Sequence, residues 1–352
     1  MNHFVYTIAL AVALCLVGIL LYRYRSLWLA WAVIFGFGIF VIALPLFFVR
    51  FGLVSFGYWS IGIFGGITTL FALLAILFWR KARISASLFA LVAMLLAVVA
   101  VDALWLEPRS LEVRHERLVT AKVTRPIRVV VLSDIQTDVV GGYERSALLR
   151  AAAEKPDLVL LPGDYLQIVD PIKRAEQKVK WRQIFADKPL KPRLGAYAVQ
   201  GDMEWYGVWE DLFDDSGVQV FSKTGSKDLG EIYLSGLSLA DSSKSARGLS
   251  GPEKGKFHIV FGHKPEYFLK DPPGDLLIAG HTHGGQVQIP GFGPLITYSR
   301  VPRDWAGGCF LKRTNGQYLL ISKGIGMERA EAPRLRFFCK PEIVVVDLIP
   351  RS

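Results

Sequence analysis

Asp134, Asp164, Asp202, His263 and His281 each stand directly behind a short apolar run, and His283 follows His281 by two residues. Carboxylate and imidazole together suit Zn, Fe, Mn and similar ions. A carboxylate also bridges two ions, and a pair held about 3.5–4 Å apart clamps both oxygens of a phosphoryl displacement. Any one of these residues alone has an ordinary explanation, because an Asp behind a strand often caps a helix and Gly-Asp often makes a turn. Their shared placement carries the weight. Open α/β sheets bind ligands beyond the carboxyl ends of their strands, where the loops converge. Five strands thus deliver five metal-type side chains to one place. His3, His115 and His258 fall outside the set.

The elements that must position them alternate between strand and helix from residue 127 onward. The β-branched run Ile127–Ser133 reads as a buried strand, and Tyr143–Glu154 has helical spacing. Leu158–Leu161 is a second strand, Ile172–Phe185 an amphipathic helix, Ala196–Gln200 a third strand and Trp205–Phe213 a short helix. Val218–Ser222, Ile232–Ser238, Phe257–Phe261, Leu276–Ala279, Tyr318–Ser322 and Ile343–Leu348 read as further strands. The expected class is α/β, a layered sandwich of sheets flanked by helices.

The first 106 residues differ in kind. They hold six basic residues (Arg23, Arg25, Arg50, Arg80, Lys81, Arg83) and one acid, Asp102. Four apolar runs, Phe4–Tyr22, Leu27–Val49, Val54–Trp79 and Ile84–Leu106, each have the roughly 20 residues that cross a bilayer. An all-α transmembrane region of four helices therefore precedes the α/β part, with no cleavable signal peptide. Gly62, Gly65 and Gly66 in the third run either let helices approach closely or reflect the frequency of Gly in such spans. Loop charges are balanced on the two sides. The first hairpin has no Lys or Arg before it and Arg23 and Arg25 after it, so the N-terminus is expected outside and the catalytic domain extracytoplasmic. Residues 107–126 read as a connector and 127–352 as the second domain.

That remainder holds 35 of the 41 basic and 30 of the 31 acidic residues, a mild positive balance suited to an anionic substrate or anionic lipid. Basic surfaces without anionic ligands are equally common. Cys15, Cys309 and Cys339 form no metal-type or disulfide pattern, so free thiols are expected. No basic track interleaved with aromatics is present, and no nucleic-acid partner is expected.

The motifs at the strand ends resemble those of the calcineurin-like metallophosphoesterases, in their membrane-associated bacterial branch. That family runs Asp-x-His, Gly-Asp, Gly-Asn-His-Asp/Glu, Gly-His and Gly-His-x-His. Here stand Asp134-Ile135-Gln136, Gly163-Asp164, Gly201-Asp202-Met203-Glu204, Gly262-His263 and Gly280-His281-Thr282-His283-Gly284-Gly285-Gln286. The last run is the specific signal. The tail from Gly324-Ile325-Gly326 through Arg336 to Ile343 is also similar to that branch. The resemblance, over about 127–350, implies two divalent metal ions (Mn, Fe, Zn or Mg). Asp134, Gln136, Asp164 and His283 would hold one; Asp164, Asp202, His263 and His281 the other. A metal-bound hydroxide would be the nucleophile.

Three positions depart from the pattern. Gln136 replaces His, which weakens the first site for late transition metals or turns it toward harder ions, and Asp138 is a nearby substitute. Asp202 replaces Asn and adds negative charge. Met203 replaces the His that assists the leaving group, and a thioether donates no proton. Glu204 is the adjacent candidate acid. Trp305, Arg300, Arg303, Lys312 and Arg313 either rim the site or lie on a solvated surface.

The expected function is a membrane-anchored, metal-dependent phosphohydrolase acting on a phosphoester or pyrophosphate, with a phosphorylated small molecule or lipid-linked phosphate as substrate. The alternative is a catalytically degenerate relative that binds metal or a phosphoryl ligand without turnover.

Overall fold

A computed structural model describes residues 2–49, 53–186, 190–206, 209–246, 249, 251–252, 255–330 and 332–351. Arg50, counted among the loop charges, lies outside the described residues. The chain divides into two compact units, Met1–Leu106 with Glu328–Arg334, and Glu107–Met327 with Leu335–Ser352.

In the first unit the apolar runs form four helices long and apolar enough to cross a membrane: α1 (His3–Tyr24), α2 (Leu27–Phe48), α3 (Val54–Phe78) and α4 (Arg83–Arg109). Large apolar side chains such as Leu16, Trp28, Phe47 and Ile76 point outward. Water would oppose such faces; a hydrocarbon solvent accepts them. α3 widens to a π-helix over Ile61–Ile67. There Gly62 meets its neighbours so closely that an added Cβ would lie 2.4 Å from Val41 Cγ1 and 2.5 Å from Tyr6 Oη. Gly65 has open space instead. Close approach therefore applies to Gly62 and not to Gly65.

In the second unit two six-stranded sheets face each other. The first has the order β1 (Glu112–Thr120), β14 (Glu342–Pro350), β2 (Ile127–Val131), β3 (Leu158–Leu161), β4 (Ala196–Val199), β5 (Val218–Phe221). The second runs β12 (Cys309–Lys312), β13 (Tyr318–Ile321), β9 (Leu276–Ala279), β8 (Phe257–Phe261), β7 (Ile232–Gly236), β6 (Gly225–Asp228), and β10 (Gln288–Ile289) pairs with β11 (Gly293–Pro294) as a separate two-stranded ribbon. Between them Val129, Val131, Leu158 and Leu160 pack with Ile259, Phe261, Leu276 and Ile278 in one buried cluster. The outer face of the first sheet is covered by α5 (Gly142–Ala153) and α6 (Pro171–Ala186), through Ala147, Leu148, Trp181 and Phe185. Strands buried on both faces read as continuous apolar runs, which is why these were recognisable.

β2, β3, β4 and β5 are mutually parallel, as are β7, β8 and β9. All the motif loops of each sheet therefore leave from one edge. The segment read as a connector contains β1. Its sequence, Glu-Val-Arg-His-Glu-Arg-Leu-Val-Thr, is charged because β1 is an edge strand, where charge blocks further strand pairing. The helix expected over Trp205–Phe213 is two 3₁₀ turns, Asp202–Tyr206 and Glu210–Phe213, and residues 207–208 lie outside the described ones. All three cysteines are free.

Candidate metal centre

The motif loops place two groups of possible ligand atoms, each group within 4.8 Å of one another: Asp134, Asp164 and His283, and Asp202, His263 and His281. Asp164 also links them, since its Oδ2 lies 3.4 Å from His263 Nε2. Around the second group, Asp202 Oδ2 is 3.0 Å from His281 Nδ1 and 3.7 Å from His263 Nε2. His283 Nε2 is 3.8 Å from Asp134 Oδ1. Gln136 is fully buried on the same loop as Asp134, and its Nε2 donates to Gln167 Oε1 at 2.9 Å. An amide bonded in that sense offers a cation its oxygen alone. Asp138 belongs to neither group.

The backbone is bent to bring these side chains inward. Asp134 (φ 48°), Gln136 (φ 32°), Asp164 (φ 55°), His281 (φ 69°) and His283 (φ 49°) all adopt left-handed conformations. Each such residue costs on the order of 1–3 kcal/mol and persists where surrounding contacts over-determine it. Those contacts are visible. His281 N–H donates to Asp134 Oδ1 at 2.8 Å, Met203 N–H to Asp164 Oδ1 at 2.8 Å, and Ser133 Oγ to Asp134 Oδ2. Gly280 has no room for a side chain: an added Cβ would lie 1.9 Å from Ser133 Oγ and 2.2 Å from Asp134 Oδ2.

The imidazoles are oriented as ligands. His263 Nδ1 donates to the Pro162 carbonyl at 2.9 Å, which turns Nε2 toward Asp164 and Asp202. His281 Nε2 lies 3.2 Å from the Tyr298 carbonyl, which turns Nδ1 toward Asp202. A ligating His usually donates its other nitrogen in this way. His263 Nε2 and both nitrogens of His283 are buried with no hydrogen-bond partner. Burial, then the Arg336 guanidinium, hold His283 well below the usual imidazole range, so it is a neutral donor. Burial alone would raise Asp164 and Asp202 and lower His263, but the carboxylates hold a proton on His263, which is raised well above the usual imidazole range while each carboxylate falls below its ordinary value. Burial pushes Asp134 up to about 6. Carboxylates and imidazole nitrogens converge here, and a divalent cation would displace the proton His263 shares with its carboxylates, so the donor set suits a pair of such ions. The two groups are thus able to hold metals.

Two side chains sequence reading assessed differently. Glu204 is buried, and its carboxylate accepts from the N–H groups of Asp164 (3.0 Å), Tyr165 (2.7 Å) and Gly201 (2.8 Å). It is a clamp between two motif loops. Burial pushes its pKa to about 8 against the pull of those donors. Arg336 is fully buried and donates to the carbonyls of Lys323 (2.8 Å), Cys339 (3.0 Å) and Gly326 (2.5 Å), which fixes the loops behind His283 and Asp134. Among the basic residues considered as a rim, Arg313 pairs with Asp271 at 2.6 Å and Lys312 lies over the Tyr318 ring, while Arg303 stacks on Phe292.

His258 takes no part in the centre. It is buried on β8, with Nε2 2.8 Å from Ser235 Oγ, and burial lowers its pKa to about 4. A base whose folded pKa lies below its unfolded value of about 6.5 contributes stability above that value and loses it as pH falls toward 4. Thermal unfolding of the chain and of His258→Gln between about pH 7 and pH 5 is expected to show the wild type losing about 2 kcal/mol relative to the variant. Parallel pH dependence of the two would exclude His258 as the source.

Comparison with known proteins agrees with this geometry. Residues 127–285 match the family model for calcineurin-like phosphoesterase. The chain is 27% identical over 266 residues to the metallophosphoesterase YkuE of Bacillus subtilis, covering 70% of this chain and 88% of that one. It is 24% identical over 259 residues to a metallophosphoesterase of Aquifex aeolicus, covering 69% and 94%. A shorter stretch of 95 residues is 33% identical to the UDP-2,3-diacylglucosamine pyrophosphatase LpxG of Chlamydia muridarum, covering 25% and 28%. With the strand-end motifs, the two Asp/His groups and these relatives together, the chain belongs to the calcineurin-like metallophosphoesterase family.

Proposed function

We propose that this chain is a membrane-anchored, metal-dependent phosphohydrolase that cleaves a phosphodiester with a good leaving group or a pyrophosphate. The observation that supports it most is the pair of Asp/His groups with Asp164 reaching both. In this reading Asp134, Gln136, Asp164 and His283 hold one ion, and Asp164, Asp202, His263 and His281 the other. The chemistry two such ions supply when bound is neutralisation of phosphoryl charge and ionisation of water near neutral pH. The chain's own residues set the ligand orientation, through the Pro162 and Tyr298 carbonyls, and exclude water from Asp134, Asp164 and His283. Residues 1–106 are the transmembrane region, with the catalytic domain outside the cytoplasm.

Met203 shapes the substrate range. Its thioether donates no proton, and the neighbouring Glu204 carboxylate is held by backbone N–H groups. A leaving group that departs as a stable anion fits such a site. A nucleotide-linked lipid pyrophosphate is one such substrate, and the limited similarity to a UDP-diacylglucosamine pyrophosphatase supports that direction. Met203→His is expected to raise turnover of an alkyl phosphodiester by about 10²-fold and to change an aryl phosphodiester little. Equal effects on both would remove leaving-group assistance as the explanation.

Gln136 and Met203 also motivate the second reading, a relative that binds metal or a phosphoryl ligand without turnover. Assay of the full chain in detergent with Mn and a bis-aryl phosphodiester separates the two. Turnover that chelation abolishes supports the enzyme. Absence of metal-dependent turnover across phosphodiesters and pyrophosphates would sink it.

A further inference from the structure

The second unit presents an uneven distribution of exposed apolar side chains. Among its described residues, the exposed large aromatics are Phe292, Tyr298 and Phe338. Phe292 and Tyr298 belong to the segment leaving His283, and the Tyr298 carbonyl is bonded to His281 Nε2 at 3.2 Å. Phe338 precedes β14, next to Cys339, whose Sγ lies 3.3 Å from the His283 carbonyl. Exposed Val139 follows Gln136 on the loop after β2; exposed Val169 follows Asp164 on the loop after β3, and exposed Ile172 stands in the first turn of α6 that this loop enters. These two loops are joined by the bridge Thr137–Leu166. All six side chains thus belong to segments on the strand-end edge that carries the metal centre. Arg303 stacks on Phe292 and Arg300 is exposed nearby, so the apolar segment carries positive charge.

The path of the chain points to what covers this edge. The fourth apolar run ends at Leu106, and Glu107 follows directly. Its carboxylate accepts from the N–H groups of Phe338 (3.0 Å) and Cys339. β1 then begins at Glu112, paired with Glu342, while β2 ends at Val131, paired with Val344. β1 is parallel to β14 and β14 antiparallel to β2, so β1 starts at the edge where β2 ends. The chain therefore passes from its last membrane-type helix into the sheet at the metal-centre edge. The far end of β1, at Val119 paired with Ile349, lies at the opposite edge. Exposed aromatic and aliphatic side chains flanked by arginines, a few residues from an apolar span, match the chemistry of an anionic bilayer surface.

We infer that the metal-centre edge lies against the lipid bilayer, and that the centre acts on the phosphorylated headgroup of a lipid held in that bilayer. The second clause rests on the phosphohydrolase reading; the first does not need turnover. Benzoylphenylalanine incorporated in place of Phe292, Ile172 or Val119 tests it in the full chain. The protein is reconstituted in liposomes of phosphatidylethanolamine and phosphatidylglycerol with tagged acyl chains. Val119 is a matched control, 58% exposed against 53% for Phe292. Photolysis is expected to give lipid adducts at 292 and 172 at least about tenfold above those at 119. A yield at either position no higher than at 119 overturns the inference. Repeating the photolysis in Asp164→Ala separates the two claims, because lipid adducts are expected there without any hydrolysis.

Discussion

Asp164→Ala is expected to lower metal-dependent phosphodiester turnover by about 10³-fold or more and to abolish stabilisation of the chain by Mn. Asp164 belongs to the group with Asp134 and His283, and its Oδ2 also faces His263 of the second group. Asp134 also approaches His263, but at 3.9 Å and on Nδ1, the nitrogen that faces the Pro162 carbonyl. Removal of Asp164 leaves each group one carboxylate short and releases the Met203 N–H that orders the Asp202 loop. Ligand binding to the native state alone adds about 2.7 kcal/mol at a hundred times the dissociation constant. The wild type is therefore expected to show an upward unfolding shift with saturating Mn, and the variant to show none. A variant that keeps both the shift and the turnover would remove Asp164 from the centre.

Glu204→Ala is expected to destabilise the chain by about 3–5 kcal/mol, a large effect for a single substitution. Three buried N–H groups, of Asp164, Tyr165 and Gly201, lose their acceptor at once. Each such donor left without a partner costs about 1–3 kcal/mol, and some recovery by water entering the site lowers the sum. Glu204→Gln keeps the volume but offers one acceptor oxygen, so an intermediate loss of about 1–2 kcal/mol is expected. Denaturation of the variants in detergent, read beside metal content, checks both values. The pair also separates clamp from acid. A clamp loses stability and metal occupancy together with activity. A Glu204→Gln chain of wild-type stability and metal content, inactive only toward poor leaving groups, would establish a proton donor instead.

Much of this centre was legible because its scaffold is buried. β3 and β9 are continuous apolar runs and β8 is interrupted only by the buried His258, and the ends of all three locate Asp164, His263 and His281. The charged sequence of β1 concealed a strand, because an edge strand follows its neighbours on one side only. The clamp by Glu204 could not be read either. Its partners are backbone N–H groups, two of them about 40 residues away, and backbone donors leave no mark in side-chain identity. Nor did the left-handed conformations of Asp134, Gln136, Asp164, His281 and His283 have a signature, since such positions elsewhere favour glycine. Arg336 sits in a motif, yet its cradle of carbonyls is a property of the folded loops alone. Residue types at strand ends thus announce groups able to hold a metal, whereas the residues that hold those groups in place act through the main chain.

Anomalous diffraction at the Mn edge, from crystals of the full chain grown with Mn, tests the two-metal assignment most directly. Two peaks about 3.5–4 Å apart are expected, one contacted by Asp134 and His283, the other by Asp202, His263 and His281, with Asp164 reaching both. A single peak, or peaks away from these side chains, would contradict it.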